Sequence, residues 1–392
     1  MLYILAIMEK EPRQTNSEQP AGKRKQTLDF WQRLTAGMEL QELWAQFKQD
    51  TQVSYGLYSQ EVDWDSIRAR DGWRQPLLAL RILFSAMLGR LSPTRRLWLL
   101  ASLFLALFAL LDIHFVWLHP VVLYLLGFVS LVVLLALELA DRVAMKRDLE
   151  IAREIQTWLV PDAPPTIPGY EVAFDTLPAN TVCGDYYDAL WRPKGPGGRK
   201  SLLLVVGDVA GKSVPAALLM ASFQASLHTL APAVMPLDEL VSGLNRFSCA
   251  RSLHGRRFTT AFLAELEPES RQLTYISAGH NAPILRRKSG TVERLEAGGL
   301  PLGIKEDERY AYATVDLAPG NLLLIFTDGV IDANDEYGQE FGERRLLDCV
   351  DALPANLDAA EILERLQQRI RTFVANAPKL DDVTWFVLRV AP

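Results

Sequence analysis

The C-terminal part of this 392-residue chain is predicted to be an α+β domain, preceded by a transmembrane helical hairpin and a helical N-terminal region. Two observations predict this arrangement. From about residue 164, strand-like apolar runs come mostly in consecutive pairs while helix-like segments stand apart, which favours largely antiparallel sheets with helices outside them. Before residue 140, two long apolar runs carry almost no charge, which is typical of membrane helices.

The composition excludes several classes of protein. Hydrophobic residues make up 49% and charged residues 22% of the chain, so we do not expect disorder over most of its length. The net charge of −6 argues against nucleic acid as a partner, because phosphate binding requires a basic surface. Cys183, Cys249 and Cys349 are far apart, so neither a disulfide framework nor a zinc site is expected, and a reducing cytosol fits best.

Two apolar runs define the predicted hairpin at residues 97–140. LWLLASLFLALFALLDI, residues 97–113, carries one charge, Asp112, and VVLYLLGFVSLVVLLAL, residues 121–137, carries none. Apolar residues cover every helical face of both runs, which favours lipid over a soluble core as their surroundings. Lysine and arginine flank the outer ends, at residues 95–96 and 142–147, and are absent from the turn, so both long ends are expected in the cytoplasm.

Helical segments without recognisable chemistry lie on either side of the hairpin. Residues 1–96 predict a small regulatory domain or an amphipathic segment on the membrane surface. Residues 141–163 predict a helical linker that ends before Pro161, because Leu149, Ala152, Ile155 and Leu159 recur at helical spacing. The linker is either an ordinary helix packed on the following domain or a signalling helix that forms a homodimer.

Aspartates stand at the ends of predicted strands in the region 164–392. Asp208 follows LLLVVG, Asp328 follows LLLIFT, and Asp381 and Asp382 precede VTWFVLRV. In antiparallel sheets the start of one strand lies beside the end of its neighbour, so these positions can converge on one edge. Asp185, in CGDYYD, is a fourth candidate. One such aspartate alone is usually a turn or cap residue, but four in one domain indicate a shared site.

Neighbouring carboxylates repel one another unless cations neutralise them. Oxygen ligands select hard ions, so the sequence predicts Mn²⁺ or Mg²⁺ rather than zinc or copper. Two such ions about 3.5–4 Å apart can bind a phosphoryl oxygen and lower the pKa of a bound water. Phosphate-ester hydrolysis then needs no side-chain nucleophile, and no GxSxG motif is present.

Residues 150–392 resemble the SpoIIE/RsbU branch of the PPM superfamily of metal-dependent serine/threonine phosphatases. The matching stretches occur in the family's order: EIAREIQTWLVP, VCGDYYDAL, VVGDVAGKSVPAALLMA, FTTAFLAEL, LTYISAGHNAPIL, GGLPLGI, LLLIFTDGVIDANDEYGQEFGERRL and DDVTWFVLRV. The resemblance implies a PPM-type sandwich of two antiparallel sheets flanked by helices at residues 164–392. With the hairpin, it predicts a multi-pass protein of the bacterial inner membrane that dephosphorylates a regulatory protein, of the anti-sigma-factor-antagonist type.

The resemblance also implies roles for single residues. Its catalytic carboxylates are Asp185, Asp208, Asp328 and Asp381, and its metal ligands are these four with Val209 and Asp382. Asp208 would bridge two ions of Mn²⁺ or Mg²⁺, and Asp382 is the weaker ligand candidate of its pair. The helix in GKSVPAALLMA resembles a regulatory element whose movement completes the metal site. Cys183 and Ser213 stand where the family commonly has glycine.

Other interpretations are weaker. GDVAGKS follows a strand and opens a helix, but Gly207 and Gly211 enclose one residue fewer than a nucleotide P-loop requires. His280 is a candidate general acid and Lys212 a candidate phosphate ligand, although a turn residue and a solvated lysine are the favoured interpretations. The alternative function is a membrane receptor whose PPM-like domain is catalytically silent and binds a partner. A missing carboxylate would indicate it, and none is missing.

Overall fold

Two long helices belong to the N-terminal part of the described chain. Helix α1 spans Pro93–Leu110 and helix α2 spans Pro120–Thr157. The computed structural model describes residues 84–85, 88–89, 91–110, 120–193, 200–252 and 257–391. Most of the region 1–96 and the turn of the predicted hairpin therefore lie outside the described residues. The predicted linker continues α2 without a break as far as Thr157, so the second apolar run and the linker form a single helix.

Polar side chains lie between α1 and α2. The Trp98 indole nitrogen donates to the Ser130 hydroxyl at 2.5 Å, and the Ser102 and Ser130 hydroxyl oxygens are 2.7 Å apart. A Cβ atom added to Gly127 would lie 3.3 Å from the Ser102 carbonyl oxygen and 3.4 Å from the Ala106 nitrogen. Higher residue numbers on α1 thus meet lower numbers on α2, and the two helices pack antiparallel with a glycine at the close approach.

The outward faces of the same helices are apolar. Ser102 is only 1% exposed, whereas Leu97, Phe104 and Leu110 are 60–77% exposed. Of the residues described, one helix, Val121–Thr157, is long and apolar enough to cross a membrane by length and composition, and its most apolar window has a mean hydropathy of 2.6. That window is 11% buried, so its side chains face outward and do not form a soluble core.

Eleven strands and four further helices follow α2 within the described part of the second unit, Leu139–Pro392. The strands are β1 (Tyr170–Leu177), β2 (Tyr186–Pro193), β3 (Lys200–Val209), β4 (Thr259–Glu267), β5 (Gln272–Ala278), β6 (Ile284–Arg286), β7 (Val292–Arg294), β8 (Gly298–Gly299), β9 (Ala313–Asp316), β10 (Leu322–Phe326) and β11 (Val383–Val390). The helices are α3 (Ser213–Leu230), α4 (Leu237–Cys249), α5 (Gly342–Asp351) and α6 (Ala359–Val374).

The strands form two sheets. The first sheet has the order β1-β11-β10-β6-β7, and the second has the order β2-β3-β4-β5-β8, with β9 also paired to β5. Every pair is antiparallel except β5 with β8, which are joined in parallel at two positions. The prediction of largely antiparallel sheets is therefore confirmed.

Strand β11 shows why these sequences form a sandwich. All eight of its residues are buried. Phe386 and Leu388 pack between the two sheets in one core with Phe262 of β4, while Trp385 and Val387 pack in the core on the opposite face. A strand covered on both faces has a continuous apolar sequence instead of an alternating one, which is what VTWFVLRV is.

Helices cover both outer faces. Leu346 of α5 and Ile362 of α6 share a core with Trp385 on the first sheet. Leu227 of α3 and Leu240 of α4 lie in the third core, on the outer face of the second sheet. The layers therefore run helix, sheet, sheet, helix, as the family resemblance implied.

Candidate active site

Four carboxylates from both sheets meet at one end of the sandwich. Asp208 lies near the end of β3, opposite Thr260 of β4, and Asp185 directly precedes β2. Asp328 begins a short 3₁₀ turn after β10, and Asp381 lies two residues before β11. The structure brings these predicted residues near one another, because, in addition to burial, the charges of Asp328 and Asp381 raise the pKa of Asp208 and the charge of Asp208 raises the pKa of Asp185.

Asp185 is held by hydroxyl groups of the opposite sheet. Its Oδ2 atom accepts from the Thr327 hydroxyl at 2.8 Å and from the Thr384 hydroxyl at 2.5 Å. Thr327 follows β10 and Thr384 belongs to β11, so these bonds tie the second sheet to the first beside the cluster. Neither threonine was among the predicted site residues, although Thr327 directly precedes Asp328 and Thr384 lies two positions after Asp382.

Asp382 holds a loop. Its Oδ1 atom accepts from the Ala179 amide and its Oδ2 atom from the Gly184 amide, both at 2.7 Å. Because both carboxylate oxygens are engaged by backbone amides, we assign Asp382 to positioning the loop that carries Asp185. Its direct ligation of a metal stays a prediction, and the weaker one of the pair, since Asp381 makes neither of these bonds.

Val209 presents its carbonyl group to the same loop. A Cβ atom added to Gly184 would lie 3.3 Å from the Val209 carbonyl oxygen and 3.2 Å from the Ala216 side chain. The missing side chain of Gly184 thus lets the loop before Asp185 approach the end of β3. The predicted carbonyl ligand therefore lies beside the segment that carries Asp185.

Burial and mutual repulsion raise the pKa values of three of these carboxyl groups. Burial, and then the charge of Asp208, raises the pKa of Asp185 well above its usual range against the opposing threonine bonds. Burial, with the charges of Asp328 and Asp381, raises the pKa of Asp208 to about 7. Burial and the Asp381 charge also raise the pKa of Asp328. The cluster therefore favours either protons or added positive charge.

Lys212 is the cation next to the cluster. Its Nζ atom lies 3.2 Å from Asp381 Oδ2 and also donates to the Leu380 carbonyl oxygen. Lys212 stands at the start of α3 with its side chain 56% exposed, as expected for a solvated lysine at a helix end, and the sequence could not indicate its contact with Asp381. Both partners are about half exposed, so the pair contributes at most about 1 kcal/mol and leaves most of the negative charge unmatched.

His280 is a structural residue. Burial lowers its pKa to about 4, so the ring is neutral at physiological pH, and Nδ1 lies 3.0 Å from the Thr260 hydroxyl. The preceding Gly279 has a φ of +66° and packs against Pro301, which agrees with the predicted turn.

The donor set fits hard divalent ions. Its oxygens come from carboxylates and one backbone carbonyl, a set that favours Mg²⁺ or Mn²⁺. Within the part of the chain that the structure describes, no three acidic, histidine or cysteine side chains stand close enough to hold one ion. The ligand roles of Asp185, Asp208, Val209, Asp328 and Asp381 therefore stay predictions, supported by the charge of the cluster.

The end of α2 is joined to the loop before Asp185. The Gln156 side chain donates from Nε2 to the Cys183 carbonyl at 2.8 Å and accepts at Oε1 from the Cys183 amide at 3.0 Å. One amide side chain thus satisfies both backbone groups of a residue two positions before Asp185. The periodicity of the linker predicted its helix but could not identify this contact.

Comparison with known proteins finds relatives of the sandwich domain. The sequence profile of stage II sporulation protein E, SpoIIE, matches residues 198–391. Protein IcfG of Synechocystis sp. is 28% identical over 278 residues, which are 64% of this chain and 42% of IcfG. Phosphoserine phosphatase RsbU of Bacillus subtilis is 30% identical over 195 residues, which are 50% of this chain and 56% of RsbU. The chain spans about half the length of these two relatives.

A solved structure supports the fold. The SiaA-PP2C domain of Pseudomonas aeruginosa matches with a TM-score of 0.54 and 24% identity, over 64% of this chain and 98% of that domain. At this identity the similarity establishes the fold alone, which is a PP2C-like pair of sheets with helices on both outer faces.

We expect Asp208 to make the metal-free protein less stable as the pH rises from about 4 to about 7. Its carboxyl ionises near pH 3.9 in the unfolded chain but with a pKa of about 7 in the folded protein. Between these two pH values the folded state retains a proton that the unfolded state has lost. The stabilisation from this proton is fully present below about pH 4 and is lost as the pH rises through about 7. Urea unfolding in EDTA measures this, and Asp208→Asn should remove this component.

The control is Asp307→Asn, at a side chain that is 85% exposed and should leave the pH dependence unchanged. Identical pH dependences for wild type and Asp208→Asn would contradict the electrostatic description of the cluster.

Proposed function

We propose that this chain, whose residues 198–391 belong to the SpoIIE family of PPM phosphatases, is a metal-dependent protein serine/threonine phosphatase anchored in a bacterial inner membrane. Its substrate is phosphoserine or phosphothreonine on a regulatory protein, of the anti-sigma-factor-antagonist type that the family resemblance implies. The similarity to RsbU of Bacillus subtilis, which is a phosphoserine phosphatase, supports this substrate group.

One observation carries the proposal. Carboxylates from four separate segments of both sheets converge at one end of the sandwich, and burial and repulsion raise the pKa values of three of them. Evolution rarely keeps such a costly cluster for stability, and strongly perturbed groups mark functional sites. A phosphatase that uses two divalent ions explains the cost of the cluster. Burial and the charges of Asp185 and Asp382 raise the pKa of the neighbouring Cys183 thiol, which disfavours a thiolate nucleophile.

Some of these residues would bind the metal ions, and others position the ligands. Asp208 would hold both ions, Asp328 and Asp381 would complete one site, and Asp185 would serve the other, directly or through water. Two ions bound there would polarise the phosphate ester and supply a water that ionises near neutral pH. Thr327 and Thr384 fix the Asp185 carboxylate, which keeps it oriented toward Asp208.

A silent receptor that only binds a partner is the alternative. It shares the fold and the membrane anchor but needs no carboxylate cluster. No structural feature of the described residues favours it over the enzyme. Phosphate release that depends on Asp208 would distinguish the enzyme from the silent receptor.

The arrangement of α1 and α2 supports the membrane anchor. Their polar groups, Trp98, Ser102 and Ser130, bond to each other between the helices, while large apolar side chains point outward. Water would favour the reverse arrangement, but lipid favours this one, since interhelical contacts in membranes use small and polar residues. We infer a two-helix hairpin with both ends in the cytoplasm, in agreement with the flanking basic residues.

The end of α2 supports a regulatory link. Ile151, Ile155 and Trp158 recur at helical spacing and are 47–74% exposed, which leaves an apolar stripe free for a second copy of the chain. Gln156 lies beside this stripe and bonds to Cys183. A homodimer along α2 would therefore affect the loop that carries Asp185 through the Gln156 contact. Residues 1–96 would supply the regulatory input.

We expect the fragment from Arg142 onward to hydrolyse p-nitrophenyl phosphate with Mn²⁺ or Mg²⁺ and to stop in EDTA. Asp208→Asn should reduce phosphate release by more than about 100-fold, because even second-sphere partners of metal ligands cost 10- to 100-fold. Thr384→Val should reduce phosphate release by about 10- to 100-fold, and Asp307→Asn serves as control.

Phosphate release that persists in EDTA and in Asp208→Asn would contradict the two-metal site. Metal binding in calorimetry without phosphate release would favour the receptor.

The full chain should stay in the membrane pellet after alkaline carbonate washing, whereas the fragment from Arg142 should leave it. In intact cells, with the native cysteines replaced, an impermeant thiol reagent should label His114→Cys but not Thr94→Cys. Recovery of the full chain in the soluble fraction would overturn the anchor, and labelling of Thr94→Cys would overturn its orientation.

Loss of the Gln156 contact should reduce turnover of the full chain by about tenfold, the lower range for a lost supporting partner of a metal site. Gln156→Leu removes both hydrogen bonds at similar size, and Ile155→Pro breaks the helix beside it. Gln368→Leu, on the exposed face of α6, is the matched control. Turnover unchanged by both linker variants would exclude coupling through α2.

A further inference from the structure

A cleft of about 180 Å³ lies beside the carboxylate cluster. Gly329, which follows Asp328, lines the cleft together with Asp381, so it adjoins two of the predicted metal ligands. Its wall is apolar and comes from three elements: Leu177 at the end of β1, Ile370 of α6 and Val383 of β11.

The size of the cleft decides what it can hold. An apolar cavity of about 150 Å³ accepts benzene, whereas sites for complete small-molecule ligands occupy about 300–1,000 Å³. The cleft therefore fits one leucine- or phenylalanine-sized side chain and is smaller than the sites that hold complete small-molecule ligands. Its apolar wall selects an apolar occupant.

The backbone places the cleft within reach of a bound phosphoserine. A Cβ atom added to Gly329 would lie 2.0 Å from the Asp382 carbonyl oxygen, so the two segments touch and no layer separates the cluster from the cleft. Consecutive Cα atoms of a peptide are about 3.8 Å apart. A side chain one or two residues from the phosphoserine can therefore enter the cleft.

The rim of the cleft is positively charged. Arg371 and Lys379 line it, both are exposed, and neither forms an ion pair with a carboxylate among the described residues. A peptide with a lysine or arginine beside the phosphoserine would be repelled here, and an acidic residue would be attracted.

We infer that this cleft is the specificity subsite of the phosphatase, which binds an apolar side chain one or two residues from the phosphoserine and disfavours a basic neighbour. The inference rests on the proposed phosphatase function and deepens it, because it names the class of substrate sequence. The specificity-determining residues are those of the apolar wall, with Arg371 and Lys379 at the rim.

Synthetic phosphoserine peptides test this with the full-length protein in detergent and Mn²⁺. Peptides of one length carry leucine, alanine, glutamate or lysine at each of the two positions on either side of the phosphoserine. The readout is the ratio of kcat/KM between two peptides in the same enzyme, which cancels any overall loss of activity in a variant. Turnover of p-nitrophenyl phosphate, which has no flanking residues, reports the chemistry separately.

We expect about a tenfold preference for leucine over alanine at one of the four positions, the range for an apolar pocket. Ala377→Phe, which fills the cleft from its wall, should bring that ratio close to one, whereas Ala352→Phe, on the exposed end of α5, should retain it. Arg371→Glu should reverse the preference between glutamate and lysine. A wild-type ratio near one at all four positions, or a ratio that Ala377→Phe leaves intact, would overturn the inference.

The two proposals fail in distinguishable ways. Hydrolysis of p-nitrophenyl phosphate without peptide discrimination would leave the phosphatase standing and overturn the subsite. Where nothing is hydrolysed, fluorescence polarisation of labelled leucine and alanine phosphopeptides gives the same comparison as a ratio of Kd values. A leucine preference that Ala377→Phe removes would then support the cleft while the catalytic proposal fails, and equal Kd values would overturn the cleft as well.

Discussion

The hydrogen bonds from Thr327 and Thr384 to Asp185 join the two sheets at the point where the acidic groups meet. A buried carboxylate without donors would take up a proton or draw water into the sandwich. With two hydroxyl donors it stays in place, and its distance from Asp208 is then set by the packing of one sheet on the other. The packing of the layers, the loop held by Asp382 and the end of α2 all affect the position of Asp185 in this contact.

Much of this site could be predicted from the sequence because its carboxylates stand at strand ends. Asp328 and Asp381 converge because β10 and β11 pair antiparallel, whereas Asp208 on β3 of the second sheet reaches them through the packing of the two sheets. The positioning contacts could not be predicted, because they join residues without a local pattern. Asp382 and Ala179 lie 203 positions apart and meet through a backbone amide, which has no signature in side-chain identity.

The strands and helices were likewise predictable only in part. Strands β3, β10 and β11 are continuous apolar runs and were predicted, because both of their faces are covered. Strand β1 is mostly half-buried, and β8 has two residues, so neither presents a clear period. Helix α5 buries only Leu346 and Val350 and otherwise resembles a polar loop. In α1 and α2 the apolar pattern predicted the helices, but the inward serines became meaningful only when their partners were known.

The position of β11 between β1 and β10 has a consequence for biosynthesis. Its Thr384 lies beside Thr176 of β1, 208 positions earlier in the chain. Contacts of such long range form late, because the intervening chain must be made and then closed into a loop. Until β11 leaves the ribosome, β1 has no neighbour, Asp185 lacks one hydroxyl donor and Asp381 is absent. A nascent chain would therefore lack the complete carboxylate cluster until the strand that closes the first sheet has been made.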